Sequence, residues 1–153
     1  MMYYTHAAFG LLIALLALDF FNVHDKILFV LIVLLFSVFP DIDNTKSKIG
    51  KKNKLISGII NFIFGHRGLL HTIYVPLIMF FIFYNLNKEI GIAVLVGYLT
   101  HLLMDAITRA GIKPFYPLIN KKINGFFKTG SFIEKIFFLV IVFLNLYILW
   151  NYI

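Results

Sequence analysis

The sequence predicts an all-α fold, a polytopic membrane bundle of about five transmembrane helices with one or two helices lying in the interface. Three observations carry that prediction. First, 61% of the 153 residues are apolar and only 14% charged, against roughly half apolar and a quarter charged in soluble domains. Second, the apolar residues, 18 Phe among them, fall in long runs separated by short polar segments, and the mean hydropathy is +0.91. Third, the cations are bunched: Lys46, Lys48, Lys51, Lys52, Lys54 and Arg67 lie in one connection, and Arg109, Lys113, Lys121, Lys122, Lys128 and Lys135 in another. Only Lys26 and Lys88 stand elsewhere.

Residues 3–22 form the first span, apolar apart from His6, Asp19 and a few small residues, and long enough to cross about 30 Å of hydrocarbon. No basic residue precedes the run and no small-x-small site follows it, so it is read as a retained helix and not a cleaved signal. The second span, about Ile27 to Phe39, is short and ends at Pro40, which cannot continue a helix. In the connection from Asp41 to Arg67, Leu55, Ile56, Ile59, Ile60 and Ile63 recur at helical spacing behind the lysines. That pattern suits an amphipathic interfacial helix against anionic headgroups. The third span is Leu69 to Leu86, the fourth Ile90 to about Thr108, and the last Phe132 to the end. Between the last two, residues 109–131 hold Pro114, Pro117, Gly125 and Gly130. One membrane-embedded domain, 1–153, is expected.

Placing both basic connections on one side puts 12 of the 14 cations there, so that side is read as cytoplasmic, with the N-terminus inside the cell membrane. No repeat, phosphate loop or dinucleotide fingerprint is visible, and nothing points to nucleic acid. The chain has no cysteine, which excludes disulfides, thiolate sites and Cys nucleophiles and leaves His and carboxylates as strong metal ligands.

In that topology His6, Asp41, Asp43, His66, His71, His101 and Asp105 fall at or near the cytoplasmic helix ends, while Asp19, His24 and Asp25 fall at the opposite face. Polar groups near hydrocarbon are costly and are retained for function, so the convergence suggests a shared ligand. Asp105 sits in the last turn of its helix, where the dipole disfavours an anion. Either the nearby lysines or a bound divalent ion would compensate it and the Asp41/Asp43 pair. His101 and Asp105, four apart, share one helix face, suited to joint coordination or to a buried hydrogen-bonded pair. Gly97 lies on the same stripe and allows a neighbouring helix to come close. His6 shares its stripe with Gly10 and Ala14 and is expected to face the bundle. His66 and His71 are five apart, about 140° around a continuous helix. With Gly65 and Gly68 bracketing His66, His66 and Arg67 are placed in the entering loop and His71 in the first turns of the third span. The Arg67 fork suits a phosphate or carboxylate, or an interfacial headgroup anchor.

The segments FPDIDNTKSKIG (39–50), GHRGLLHT (65–72) and GYLTHLLMDAITRAGIKPFYPL (97–118), with an early His in the first span, resemble the YdjM-like family of inner-membrane proteins. That family is described as LexA-regulated metal-dependent hydrolases, the hydrolase label resting largely on such motifs. The motif residues map onto His6, Asp41, Asp43, His66, Arg67, His71, His101 and Asp105. Two departures are visible: Asn44-Thr45 stands where members often have His-Pro, and Leu70-His71-Thr72 where they often have Thr-His-Ser.

The resulting expectation is a hydrolase with one or two divalent ions, zinc foremost, held by His6, Asp41, Asp43, His71, His101 and Asp105. His66 and Arg67 would act on the substrate, a membrane-associated molecule such as a lipid phosphate ester. No Ser or Thr sits beside a base, so direct attack by water is expected. The competing readings are a non-catalytic membrane scaffold or regulatory protein and an ion or metal transporter. The partners foreseen are membrane lipids and that substrate.

Overall fold

The computed structural model describes residues 1–43 and 68–152. Five α-helices make up the described chain: α1 (Tyr3–Phe20), α2 (Lys26–Val38), α3 (Tyr74–Leu86), α4 (Lys88–Ala106) and α5 (Phe132–Tyr152). A 3-10 turn, Phe39–Asp43, continues α2, and a second, Leu69–His71, precedes α3. Among the described residues the extended pairing is limited to two isolated bridges, Thr108 with Phe127 and Ile112 with Ile123. The protein is an all-α membrane bundle.

Local chemistry sets most helix boundaries. After α1 the chain reverses through Asn22 in the left-handed region, φ 48°, a conformation Asn tolerates better than most residues. Asp25 then caps α2 by accepting from the Leu28 amide at 3.0 Å. Asn87 separates α3 from α4 and accepts from the Glu89 and Ile90 amides. Ser131 caps α5 through the Glu134 amide, following Gly130 at φ 77°. Each side-chain cap satisfies helix-end donors that are otherwise orphaned.

Three helices, α1, α4 and α5, are long and apolar enough to cross a membrane unaided. Of the other two, α2 is as short as its sequence implies, and α3 is shorter than the expected Leu69–Leu86 span. At 13 residues each, α2 and α3 are only about 20 Å long. Pro40 ends α2 as foreseen, while the third span begins five residues later than the hydrophobic run implies. Leu69–Thr72 turns before α3 starts, so His71 occupies a separate turn and not the first turns of that helix.

Packing centres on α4, which touches α1, α2 and α3, while α1 also packs on α2 and α5. Two glycines let α2 come close to its neighbours. A Cβ on Gly97 would lie 2.5 Å from the Val33 carbonyl oxygen of α2, and one on Gly10 would lie 2.5 Å from Ser37 Oγ. Helix α2 is therefore clamped between α1 and α4, its Ser37 side chain against Gly10 and its backbone against Gly97, as small residues permit in membranes. Phe29 and Val33 fill the interior beside Ala14, Leu18 and Ala93, and Tyr98 and Leu102 fill a second cluster with Phe36 and Ile112.

Candidate functional site

Five ligand-type side chains meet at the end of the bundle where α1 begins and α4 finishes. His6 comes from the first turns of α1, Asp41 from the turn after α2, His71 from the turn before α3, and His101 and Asp105 from one face of α4. His6, His71, His101 and Asp105 are buried at 0–1% exposure, and Asp41 is partly buried. Two ligand-atom triads, His6/His101/Asp105 and Asp41/His71/His101, each lie within 4.8 Å.

Fixed backbone groups hold these rings. The Ser37 carbonyl oxygen lies 2.9 Å from His101 Nδ1, and a carbonyl only accepts, so Nδ1 carries a proton and Nε2 is the ring atom turned toward the site. Nε2 of His101 is 3.2 Å from Nε2 of His71. The turn bearing His71 is pinned by the buried Tyr98, whose hydroxyl donates to the Leu70 carbonyl at 2.8 Å. Thr72 Oγ1 closes the turn on the Leu69 carbonyl at 2.7 Å, and the Ile73 amide donates to the Pro114 carbonyl at 2.9 Å. His6 stacks on His101 with ring centroids 4.2 Å apart.

Asp105 is the electrostatic hub. The Met1 amino group donates to its Oδ1 at 2.7 Å, His6 Nε2 lies 3.3 Å from the same oxygen, and His71 Nε2 lies 3.6 Å from Oδ2. Part of the carboxylate's charge is thus met from within the chain. Asp41, beyond the end of α2, has its carboxyl raised above the usual range by burial, with the nearby His6 acting in the opposite sense.

The donor set fits a divalent ion. Ligands 2.0–2.1 Å from a tetrahedral zinc are separated by about 3.3–3.4 Å, and the His71–His101, His6–Asp105 and His71–Asp105 separations are 3.2, 3.3 and 3.6 Å. Among the described residues His6 Nδ1 makes no hydrogen bond despite burial, whereas buried polar atoms are ordinarily satisfied. His101 Nε2 and His71 Nε2 face each other, which requires a proton on one of them or a cation serving both lone pairs.

Of the residues singled out from sequence, His6, Asp41, His71, His101 and Asp105 come together. Asp43 ends the Phe39–Asp43 turn, but its side chain, like His66, Arg67, Asn44 and the amphipathic 55–63 segment, lies outside the described residues. Glu134 was missed. It is fully buried and accepts from the Met2 amide at 2.6 Å, the Gly130 amide at 2.6 Å and Thr5 Oγ1 at 3.2 Å, joining the start of α5 to the turn that carries His6. Ser131-x-x-Glu134 ahead of an apolar run is a capping-box pattern, and that signal was available.

All 153 residues match the YdjM inner membrane protein family. The chain belongs to that family. It is 40% identical over 103 residues to YvsG of Bacillus subtilis (strain 168), covering 65% of this chain and 64% of YvsG. It is 34% identical over 87 residues to the inner membrane protein YdjM of Escherichia coli (strain K12) and to YdjM of Shigella flexneri, covering 52% of this chain and 44% of each relative. The matched segments thus span less than two thirds of these YdjM-family relatives. No solved structure matches.

Proposed function

We propose that this inner-membrane protein is a metal-dependent hydrolase acting on a membrane-associated substrate, a lipid phosphate ester, at the cytoplasmic face. One observation carries the reading: three imidazoles and two carboxylates from four segments far apart in sequence meet within coordination distance in a buried setting. His6, Asp41, His71, His101 and Asp105 would hold the ion, with the adjoining Asp43 as a further candidate, and zinc suits this nitrogen and oxygen set. When bound, the ion supplies Lewis acidity toward a phosphoryl oxygen and lowers the pKa of a water.

The chain's own residues define the rest. The Ser37 carbonyl fixes the His101 tautomer, the second-sphere role such contacts play in metal sites. Tyr98 and Pro114 hold the His71 turn in place through Leu70 and Ile73. His66 and Arg67, which follow the basic connection in sequence, would engage the substrate phosphate, Arg67 through its planar fork. A transporter needs polar groups through the full depth of the membrane. Among the described residues, the interior between the two ends of the bundle holds a hydrocarbon cluster of Ala14, Leu18, Phe29, Val33 and Ala93.

Metal analysis tests the proposal. Protein purified from metal-replete cells retains zinc or another divalent transition metal, and the His101→Ala/Asp105→Ala double variant does not. A wild-type preparation that remains metal-free after reconstitution, while monodisperse, refutes it and leaves the scaffold reading.

A further inference from the structure

The connection between α4 and α5 carries exposed apolar side chains that no helix span explains. Residues 107–131 contain Arg109, Lys113, Lys121, Lys122 and Lys128 and no Asp or Glu. Between those cations Leu118 is 79%, Phe126 72% and Ile119 54% exposed. Exposed apolar residues on α1 to α5 are accounted for by lipid around the spans. These are not, because they lie outside the helices.

The connection is folded. Ile112 and Ile123 exchange both backbone hydrogen bonds at 2.8–2.9 Å, Arg109 N donates to the Phe127 carbonyl, and Gly125 N donates to the Thr108 carbonyl. Gly111, at φ 62°, permits the tight crossing, since a Cβ there would lie 2.3 Å from the Ile123 carbonyl oxygen. Ile112 is buried in the core. The turn does not project away from the bundle. Pro114 and Phe115 offer their carbonyls to the Ile73 amide and the Tyr74 hydroxyl at the start of α3, which holds the segment beside the helix ends.

We infer that residues 107–131 form a membrane-surface element seated in an anionic lipid leaflet, with Leu118, Ile119 and Phe126 entering the acyl boundary and the lysines lying against headgroups. Burying apolar side chains and neutralising lipid charge together is how interfacial segments bind. A segment of five cations and no anions complements an anionic lipid surface in particular.

A tryptophan reporter tests this. With Trp150→Phe removing the native indole, Leu118→Trp is placed in nanodiscs of phosphatidylcholine with or without phosphatidylglycerol. Brominated lipid should quench it, more strongly when phosphatidylglycerol is present, and iodide should quench it poorly. Adding Lys121→Gln and Lys122→Gln, or raising the salt, should lower the seated-to-free ratio by roughly tenfold. The exposed position of Leu118 leaves packing untouched, and monodispersity verifies the fold. Three results overturn the inference: iodide quenching without bromolipid quenching, shielding from both quenchers, which means a second protein copy covers the tip, or bromolipid quenching equal in both lipid compositions.

Discussion

A histidine–carboxylate grouping stands at each end of the bundle, and the two differ in nearly everything except residue type. At one end His24 Nδ1 lies 2.6 Å from Glu89 Oε1, but the His24 side chain is 92% exposed. At the other end His6 and His71 approach Asp105 at longer distances, 3.3 and 3.6 Å, with all three side chains fully buried. The shorter contact is the weaker one. Water and salt screen an exposed pair to little net value, whereas a buried charge left without compensation is costly. The exposed pair also closes on itself, with Glu89 accepting from the His24 backbone amide as well. The buried group has more ligand atoms than pairs, and that surplus suits a cation.

The largest expected effect is at Asp105. Asp105→Asn keeps a hydrogen-bonding group of the same shape but removes an anionic ligand, so it abolishes metal occupancy and turnover of a lipid phosphate substrate in monodisperse protein. Retention of both by Asp105→Asn would make the buried group a structural pairing like its exposed counterpart.

Next is Gly97→Val, which reaches the site only through packing. The added side chain meets the Val33 carbonyl oxygen and Phe36 Cβ, so α2 and α4 separate, at a cost of about 1–3 kcal/mol or more. Thermal unfolding in detergent should show a lowered midpoint. Because Ser37 is on α2 and His101 on α4, metal affinity should fall as well.

A smaller loss is expected from Glu134→Gln. Glu134 accepts three hydrogen bonds, and the amide turns an NH2 toward at least one donor, at about 1–2 kcal/mol. The thermal midpoint should drop while metal stoichiometry stays at the wild-type value; loss of metal would make Glu134 part of the site itself.

Smallest of all is the exposed end. His24→Ala should leave metal content, turnover and unfolding unchanged. A cysteine at His24 should react with an impermeant thiol reagent in intact cells, and one at Lys51 should be protected; reversed labelling would move the buried site to the exterior face.

The elements most legible in the sequence are those governed by local rules. Helices α1, α4 and α5 follow from unbroken apolar runs, because a membrane leaves a backbone without side-chain partners no alternative to internal hydrogen bonding. The shared face of His101 and Asp105 follows from helical periodicity, and the close approach at Gly97 follows from the missing Cβ. Asn87 and Asp25 mark helix starts by the same local chemistry.

What the chain by itself determined was therefore the class of fold, the membrane setting and the residues with ligand chemistry. The tertiary structure alone decided which of them meet. Clamping α2 between Gly10 and Gly97 brings the Ser37 carbonyl to His101. Tyr98 and Pro114 hold the His71 turn apart from α3, although the apolar pattern runs through both. Glu134 reaches across from α5 to the turn bearing His6. Each of these contacts joins residues distant in sequence, and helical periodicity specifies a side chain's direction from its own axis without specifying which neighbour lies there.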